Sequence, residues 1–389
     1  MRTFILLFIL FLSLFSAMES SAKAQFSLVT PAEFEQLKAL NLTAINYAHL
    51  CDVADKTLAY LDRYPDDTFA VHGGENLLPF SNNERIKATL SFVCATYQQD
   101  QQQKSINGNK NRLANINFLT EHFDIYRWLP DQTTAQAIAK KSTNQRKAQM
   151  LTAIPEQKIF LTKYYTKLLT GSQVKTEQYN QALYSLPFDE QGLTLEQAEQ
   201  KKADLTRYQF TRQQVISGVL SAKKLAQPLV WITEEALHDV LLQGTGVLNV
   251  NGHIRFFNVH RNNGIAYDYA IGKSAQARYW YFAEVPSIMG YGKDLASKIA
   301  LKPQVSFAGN VKQLGLGQLF LVSGSDNSTK QAADFVRLGV LADQGGAFDD
   351  NLFQLDLLAG SYQGWADYHQ ANKNLPDYTN AWLLLKKRQ

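Results

Sequence analysis

The sequence predicts an α+β protein, mainly β, in which a helical N-terminal part precedes β-rich, barrel-like cores. Three observations carry this reading. Residues 30–97 contain two strong helix starts. After residue 155 the texture changes to short runs rich in β-branched and aromatic residues. Two of those runs flank Asn251-Gly252, a hairpin turn pair. At 389 residues and 45% apolar composition the chain is long enough for more than one core.

The elements follow in order. Met1-Arg2-Thr3 is a short basic start, and FILLFILFLSLFSA (4–17) is too short to span a membrane comfortably. Ala22-Lys23-Ala24 fits a small-x-small cleavage pattern. Residues 1–24 therefore read as a signal peptide and Gln25 as the mature start, with an uncleaved anchor as the alternative. No cysteine lies near the cleavage region, so a lipoprotein anchor is not expected. An exported, periplasmic protein follows; association with the outer membrane or cell wall stays open.

Thr30-Pro31-Ala32-Glu33 combines a cap, a first-turn proline and a glutamate that reaches back. Ser81-Asn82-Asn83-Glu84 repeats the signal ahead of RIKATLSFVCATY. Residues 25–110 thus form a helical N-terminal region. Its end, QQDQQQKSINGNKN (98–111), reads as a polar linker. Cys51 and Cys94 lie on neighbouring helices; a disulfide and two free buried thiols are both open. Helical periodicity returns over 111–123. Strands are expected at 159–169, 246–250, 254–259, 318–323, 336–343 and 381–387, with short helices at 210–220 and 232–243.

Net charge is +4, with no basic block, so a nucleic-acid partner is not expected. The seven histidines show no ligand spacing, and neither metal nor cofactor is expected. LADQGGAFDDNLFQLDLLAGS (341–361) invites a calcium reading. Its glycines fall where side-chain oxygens should be, however, and no glutamate closes the loop. Gly345-Gly346 suits a turn or a close backbone approach. Asp349 and Asp350 read as solvated. Asp356, flanked by Leu355, Leu357 and Leu358, gains a raised pKa if desolvated, which suits a general acid. By itself this stretch favours an exposed face of an edge strand.

The ordered series of motifs changes that balance. It resembles the MltA family of lytic murein transglycosylases, with its C-terminal three-aspartate domain. The carrying stretches are Leu161-Thr162-Lys163-Tyr164-Tyr165-Thr166, Thr211-Arg212 with Gly218, and Gln243-Gly244-Thr245-Gly246. Asn263-Gly264-Ile265-Ala266-Tyr267, Asp343-Gln344-Gly345-Gly346-Ala347, and Asp356 with Gly360 complete it. The resemblance covers about residues 115–387. Lys163 stands where the family has a glycine beside the cleft, and Thr245 replaces a serine.

The resemblance implies a double-psi β-barrel, from 111–170 and 301–389, with a second β-barrel domain inserted at 171–300. It implies cleavage of the β-1,4 bond between N-acetylmuramic acid and N-acetylglucosamine, giving a 1,6-anhydro end. Asp356 is the expected catalytic acid and then base. Tyr164, Thr166, Gln243, Gly244, Gly246 and Tyr267 are expected to hold the glycan, and Asp343, Gly345 and Gly346 to shape the site. The expected partner is the peptidoglycan glycan strand, met by a monomer, with envelope protein partners left open. A non-catalytic peptidoglycan-binding protein, a polysaccharide hydrolase, and a structural envelope protein whose helical N-terminal region binds a partner are the rival readings.

Overall fold

The computed structural model describes residues 23–77, 79–103, 111–325, 335–345, 348 and 351–388. Most of the expected signal segment lies outside them, as do Gly346, Asp349 and Asp350. Gln25, the expected mature start, opens strand β1 (Gln25–Leu28).

The N-terminal helices form where the capping chemistry places them. Helix α1 (Pro31–Lys38) starts with a complete capping box: Glu33 N–H donates to Thr30 and the Glu33 carboxylate reaches back. Asn46 caps α2 (Tyr47–Arg63), and Asn82 caps α3 (Asn83–Gln102) by accepting from Arg85 N–H. Helix α3 continues through Gln102, so residues 98–102 of the expected linker are helical, and 104–110 lie outside the described residues. Its Gln-rich sequence is polar but helix-compatible, and it carries no breaker before Asn107. Cys51 and Cys94 join α2 to α3 as a disulfide.

Strand β1 pairs antiparallel with β2 (Phe123–Leu129), which follows α4 (Ile116–His122). Two short helices, α5 (Gln132–Lys141) and α6 (Gln145–Thr152), then precede β3 (Ile159–Gly171).

Beyond β3, β4 (Gln181–Tyr184) pairs with β5 (Pro228–Ile232). Between them lie α7 (Leu195–Gln200), α8 (Arg212–Ile216) and α9 (Val219–Ala222). The single helix expected over 210–220 is divided because Gly218 adopts φ +95° between α8 and α9. Helix α10 (Glu234–Gln243) leads to the hairpin of β6 (Thr245–Val250) and β7 (His253–Asn262). Asn251 and Gly252 both have positive φ, as a primed hairpin turn requires. Strand β8 (Trp280–Val285) completes this sheet, and β9 (Ile288–Met289) pairs with β10 (Ala300–Leu301).

The remaining strands are β11 (Ser306–Gly309), β12 (Leu319–Gly324), β13 (Phe335–Gln344), β14 (Gln354–Tyr362) and β15 (Tyr378–Lys386). Helix α11 (Val311–Leu314) precedes β12, and α12 (Trp365–Asn372) precedes β15. The pairings β15-β12-β13-β11-β14-β3 close on themselves through β3–β15, a six-stranded circuit. Strand β3 also continues past the circuit, where its end pairs with β6. One long strand therefore belongs to both sheets.

Two main cores result. The larger unites α1–α3 with the six-stranded circuit, burying Leu50, Leu61, Leu90, Trp128, Phe307, Phe320 and Trp382. The second lies within residues 182–282, around Leu237, Phe257, Tyr279 and Phe282. The N-terminal helices are thus integral to the first core. Arg85 on α3 fixes them further: its guanidinium pairs with Asp124 of β2 and donates to Lys386 O of β15 at 2.8 Å.

Candidate active site

The site begins with strand register. Asp343 on β13 and Asp356 on β14 both lie opposite Ala308 of β11, and Asp356 lies opposite Thr162 of β3. The row Asp343–Ala308–Asp356–Thr162 crosses four neighbouring strands. Registered residues share a face, so both carboxylates leave the sheet on one side, two strands or roughly 10 Å apart at Cα. Ala308 between them is small and leaves the space above it open.

That space is a cleft of about 380 Å³. Asp343, Gly345 and Asp356 come from the six-stranded circuit, and Tyr164 and Thr166 from β3. Gln243, Gly244 and Thr245 come from the end of α10 and the start of β6. The cleft lies where β3 passes from one sheet to the other. Gly244 ends α10 in the left-handed region at φ +75°, which turns the chain into the cleft wall.

The two aspartates differ in surroundings. Asp343 accepts from Tyr164 Oη at 3.1 Å and from Gln344 N–H at 2.9 Å. Burial raises its pKa to about 6, and these bonds and the Lys298 charge oppose the rise. Asp356 has less support: its Oδ1 is shielded from solvent and has no hydrogen-bond partner. Burial raises it to about 7; the Asp343 charge adds to the rise, while Thr162 and Lys163 oppose it. Asp356 is therefore not on an exposed edge. Strand β14 is covered on both sides, by β11 and β3.

The other expected residues divide. Thr166 is buried and its hydroxyl lies 2.7 Å from Ser361 Oγ. Gln243 Oε1 accepts from Lys167 N–H at 3.3 Å. Gly246 lies below the cleft, where a Cβ would press on Val240 and Leu183. Tyr267 stands outside the cleft lining and packs edge-on against Tyr269, which is 93% exposed. Lys163 turns away from the cleft because it alternates with Thr162 and Tyr164. Its ammonium donates to Asp377 Oδ1 at 2.9 Å and Pro376 O at 3.0 Å. Arg212 is a buried brace, donating to Arg278 O at 2.7 Å and Lys273 O at 2.6 Å.

Sequence reasoning missed Lys298, which lines the cleft as a cation among these carboxylates. It sits in an irregular segment between β9 and β10, with no pattern to mark it. It also missed the bracing of the cleft wall at Gly290: the next residue, Tyr291, donates to Asp67 at 2.9 Å, as Tyr60 does at 2.6 Å. Asp67 belongs to the N-terminal region, so that region supports the cleft from behind. Among the described residues, no group of three His, Cys, Asp or Glu is placed to hold a metal ion. No helix among them is long and apolar enough to cross a membrane.

Comparison with known proteins matches residues 160–283 to the MltA specific insert domain. No curated protein sequence matches the chain. The fold is similar to a membrane-bound lytic murein transglycosylase from Agrobacterium tumefaciens, with a TM-score of 0.54 and 13% identity over 93% of this chain and 98% of that one. It is similar to MltA from Neisseria gonorrhoeae in a monoclinic form, with a TM-score of 0.53 and 14% identity over 94% of each chain. Residues 160–283 thus match the MltA specific insert domain, and the chain shares the fold of these two structures.

Proposed function

We propose that this protein is a peptidoglycan lytic transglycosylase, an exported periplasmic monomer acting on glycan strands. It cleaves the bond between N-acetylmuramic acid and N-acetylglucosamine without water. The observation that carries the reading is Asp356: a carboxyl in an open cleft, half-buried, with one oxygen left unpartnered. A pKa of about 7 keeps a large protonated fraction near neutral pH, which an acid that must next act as base requires. Asp356 donates its proton to the glycosidic oxygen as the bond to C1 breaks. The resulting carboxylate takes the proton of the muramic C6 hydroxyl as that oxygen bonds to C1. Proton and bond counts balance, and one carboxyl suffices.

Asp343, the better hydrogen-bonded acid, is ionised first and stabilises the oxocarbenium-like transition state. Thr166, Gln243 and the Gly244 turn hold the glycan, with Tyr267 as a further contact along the strand. Gly345 shapes the floor. The six-stranded circuit is read as a double-psi barrel, with the insert at 171–300 as the opposite wall.

The presence of a second carboxylate in the cleft favours one rival, a hydrolase using Asp343 to activate water. One experiment separates them. Residues 25–389, wild type and Asp356→Asn, are incubated with peptidoglycan sacculi in ¹⁸O-labelled water, and soluble products are weighed by mass spectrometry. Anhydro-ended, unlabelled products from wild type alone are expected. Labelled reducing ends refute the transglycosylase reading, and equal product from the Asn variant removes Asp356 from the chemistry.

A further inference from the structure

Beside the cleft a second cavity of about 300 Å³ opens over β3 and β14. Phe160, Thr162 and Gln354 contribute to it, and the register pairs Phe160 with Gln354 and Thr162 with Asp356. The same strip of sheet face therefore floors both spaces. Gln354 precedes Asp356 by two residues, roughly 7 Å along the strand. The wall between them is fixed by side chains. Gln354 Nε2 donates to Thr162 Oγ1 at 2.7 Å, and Asn351 Nδ2 donates to Gln354 Oε1 at 2.9 Å. The base is apolar, built on a small separate core that includes Phe160 and Phe353.

The rim is cationic. Arg146 and Lys147 are exposed in the first turn of α6, and among the described residues neither enters an ion pair. Cations there oppose the helix dipole, so helix stability does not account for them. A ligand for this cavity is small, partly apolar and anionic, and it is tethered within about one sugar ring of Asp356.

We infer that the cavity takes the peptide stem of the muramic residue at the cleaved bond, a short acidic peptide rich in alanine. Small side chains settle on the apolar base and stem carboxylates pair with Arg146 and Lys147. The inference rests on the transglycosylase reading and adds a substrate requirement to it: stem-bearing strands are the better substrate.

The test uses the double variant Arg146→Ala/Lys147→Ala, at exposed positions whose loss leaves the cores intact. Initial rates are measured on intact sacculi and on glycan strands stripped of their stems. A loss of about tenfold or more in kcat/KM is expected on stemmed substrate, from removal of charge-assisted contacts. No change is expected on stripped strands. Equal effects on both substrates, or none on either, overturn the inference. A second arm follows binding of the free acidic stem tetrapeptide to wild type and variant by NMR. Binding lost in the variant supports the cavity even if no strand is cleaved, a result in which only the transglycosylase reading fails. No binding to wild type overturns the cavity while leaving that reading intact.

Discussion

Replacing Asp356 by asparagine removes a charge that folding holds in an unfavourable place, so the variant loses activity and gains stability. The sign follows from the pKa. In the unfolded chain the carboxyl ionises near 3.8, and in the folded one near 7. Between those values the folded state binds more protons than the unfolded state, so stability falls as pH rises. At about 1.4 kcal/mol for each tenfold change, the full effect is about 4 kcal/mol at pH 8, an upper figure because the cleft is open to solvent. Entropy of unfolding of roughly 2 cal/mol/K per residue converts this to a rise in Tm of about 5 °C. Asparagine keeps the shape and removes the ionisation.

The assay is thermal melting of wild type and Asp356→Asn from pH 4 to pH 8, beside muropeptide release at each pH. Near pH 4 the two proteins melt within about a degree of each other, because Asp356 is protonated in the fold and only about half ionised in the unfolded chain. The gap opens between about pH 4 and pH 7 and then levels. A variant that melts lower than wild type at pH 8 refutes the reasoning. So does an increment that does not change with pH, because either result means the carboxyl is not desolvated.

Three further outcomes are expected. Lys298→Met removes the cation that holds Asp343 down, so Asp343 rises above about 6 and the acid limb of the kcat/KM profile moves to higher pH; an unmoved limb refutes this. Cys51→Ala/Cys94→Ala opens a loop of 43 residues and costs about 4 kcal/mol in denaturant unfolding, on the loop-entropy account. Glu190→Ala strands two guanidinium groups, since Glu190 is fully buried and accepts from Arg207 at 2.7 Å and Arg261 at 2.8 Å. Breaking that network costs about 3–5 kcal/mol, read as a lower melting midpoint.

What the sequence disclosed was local. The Thr30 capping box, the cap at the start of α3 and Asn251-Gly252 depend on neighbours three residues away or fewer, so both helix starts and the β6–β7 hairpin were readable directly. Helices α5 and α6 were not, because they are short and polar and gain their stability from packing on Phe160 and Phe353. The surroundings of Asp356 were hidden for a related reason. Leucines on both sides fit an edge strand and a covered strand equally; only pairing with β11 and β3, both distant in the chain, decides. Lys163 was different. Strand alternation alone sets it opposite Thr162 and Tyr164, so its distance from the cleft was implicit in the period of two.

The proposed division of labour between the aspartates rests on the same geometry. Two acids in register with one alanine would be equivalent if the sheet were their only surrounding. Tyr164 breaks the equivalence. Its hydroxyl and a backbone N–H both reach Asp343, so the anion is solvated there, and Lys298 adds a charge of the right sign. Nothing comparable reaches Asp356 Oδ1. With one proton in the pair, it resides on Asp356. Asp343⁻ then raises Asp356 further, so each group reinforces the role of the other. Tyr164→Phe weakens that arrangement while leaving both carboxylates in place. It should raise Asp343, shift the acid limb upward and lower the rate. A variant with unchanged pH dependence would mean that the phenol hydroxyl does not set the order of ionisation.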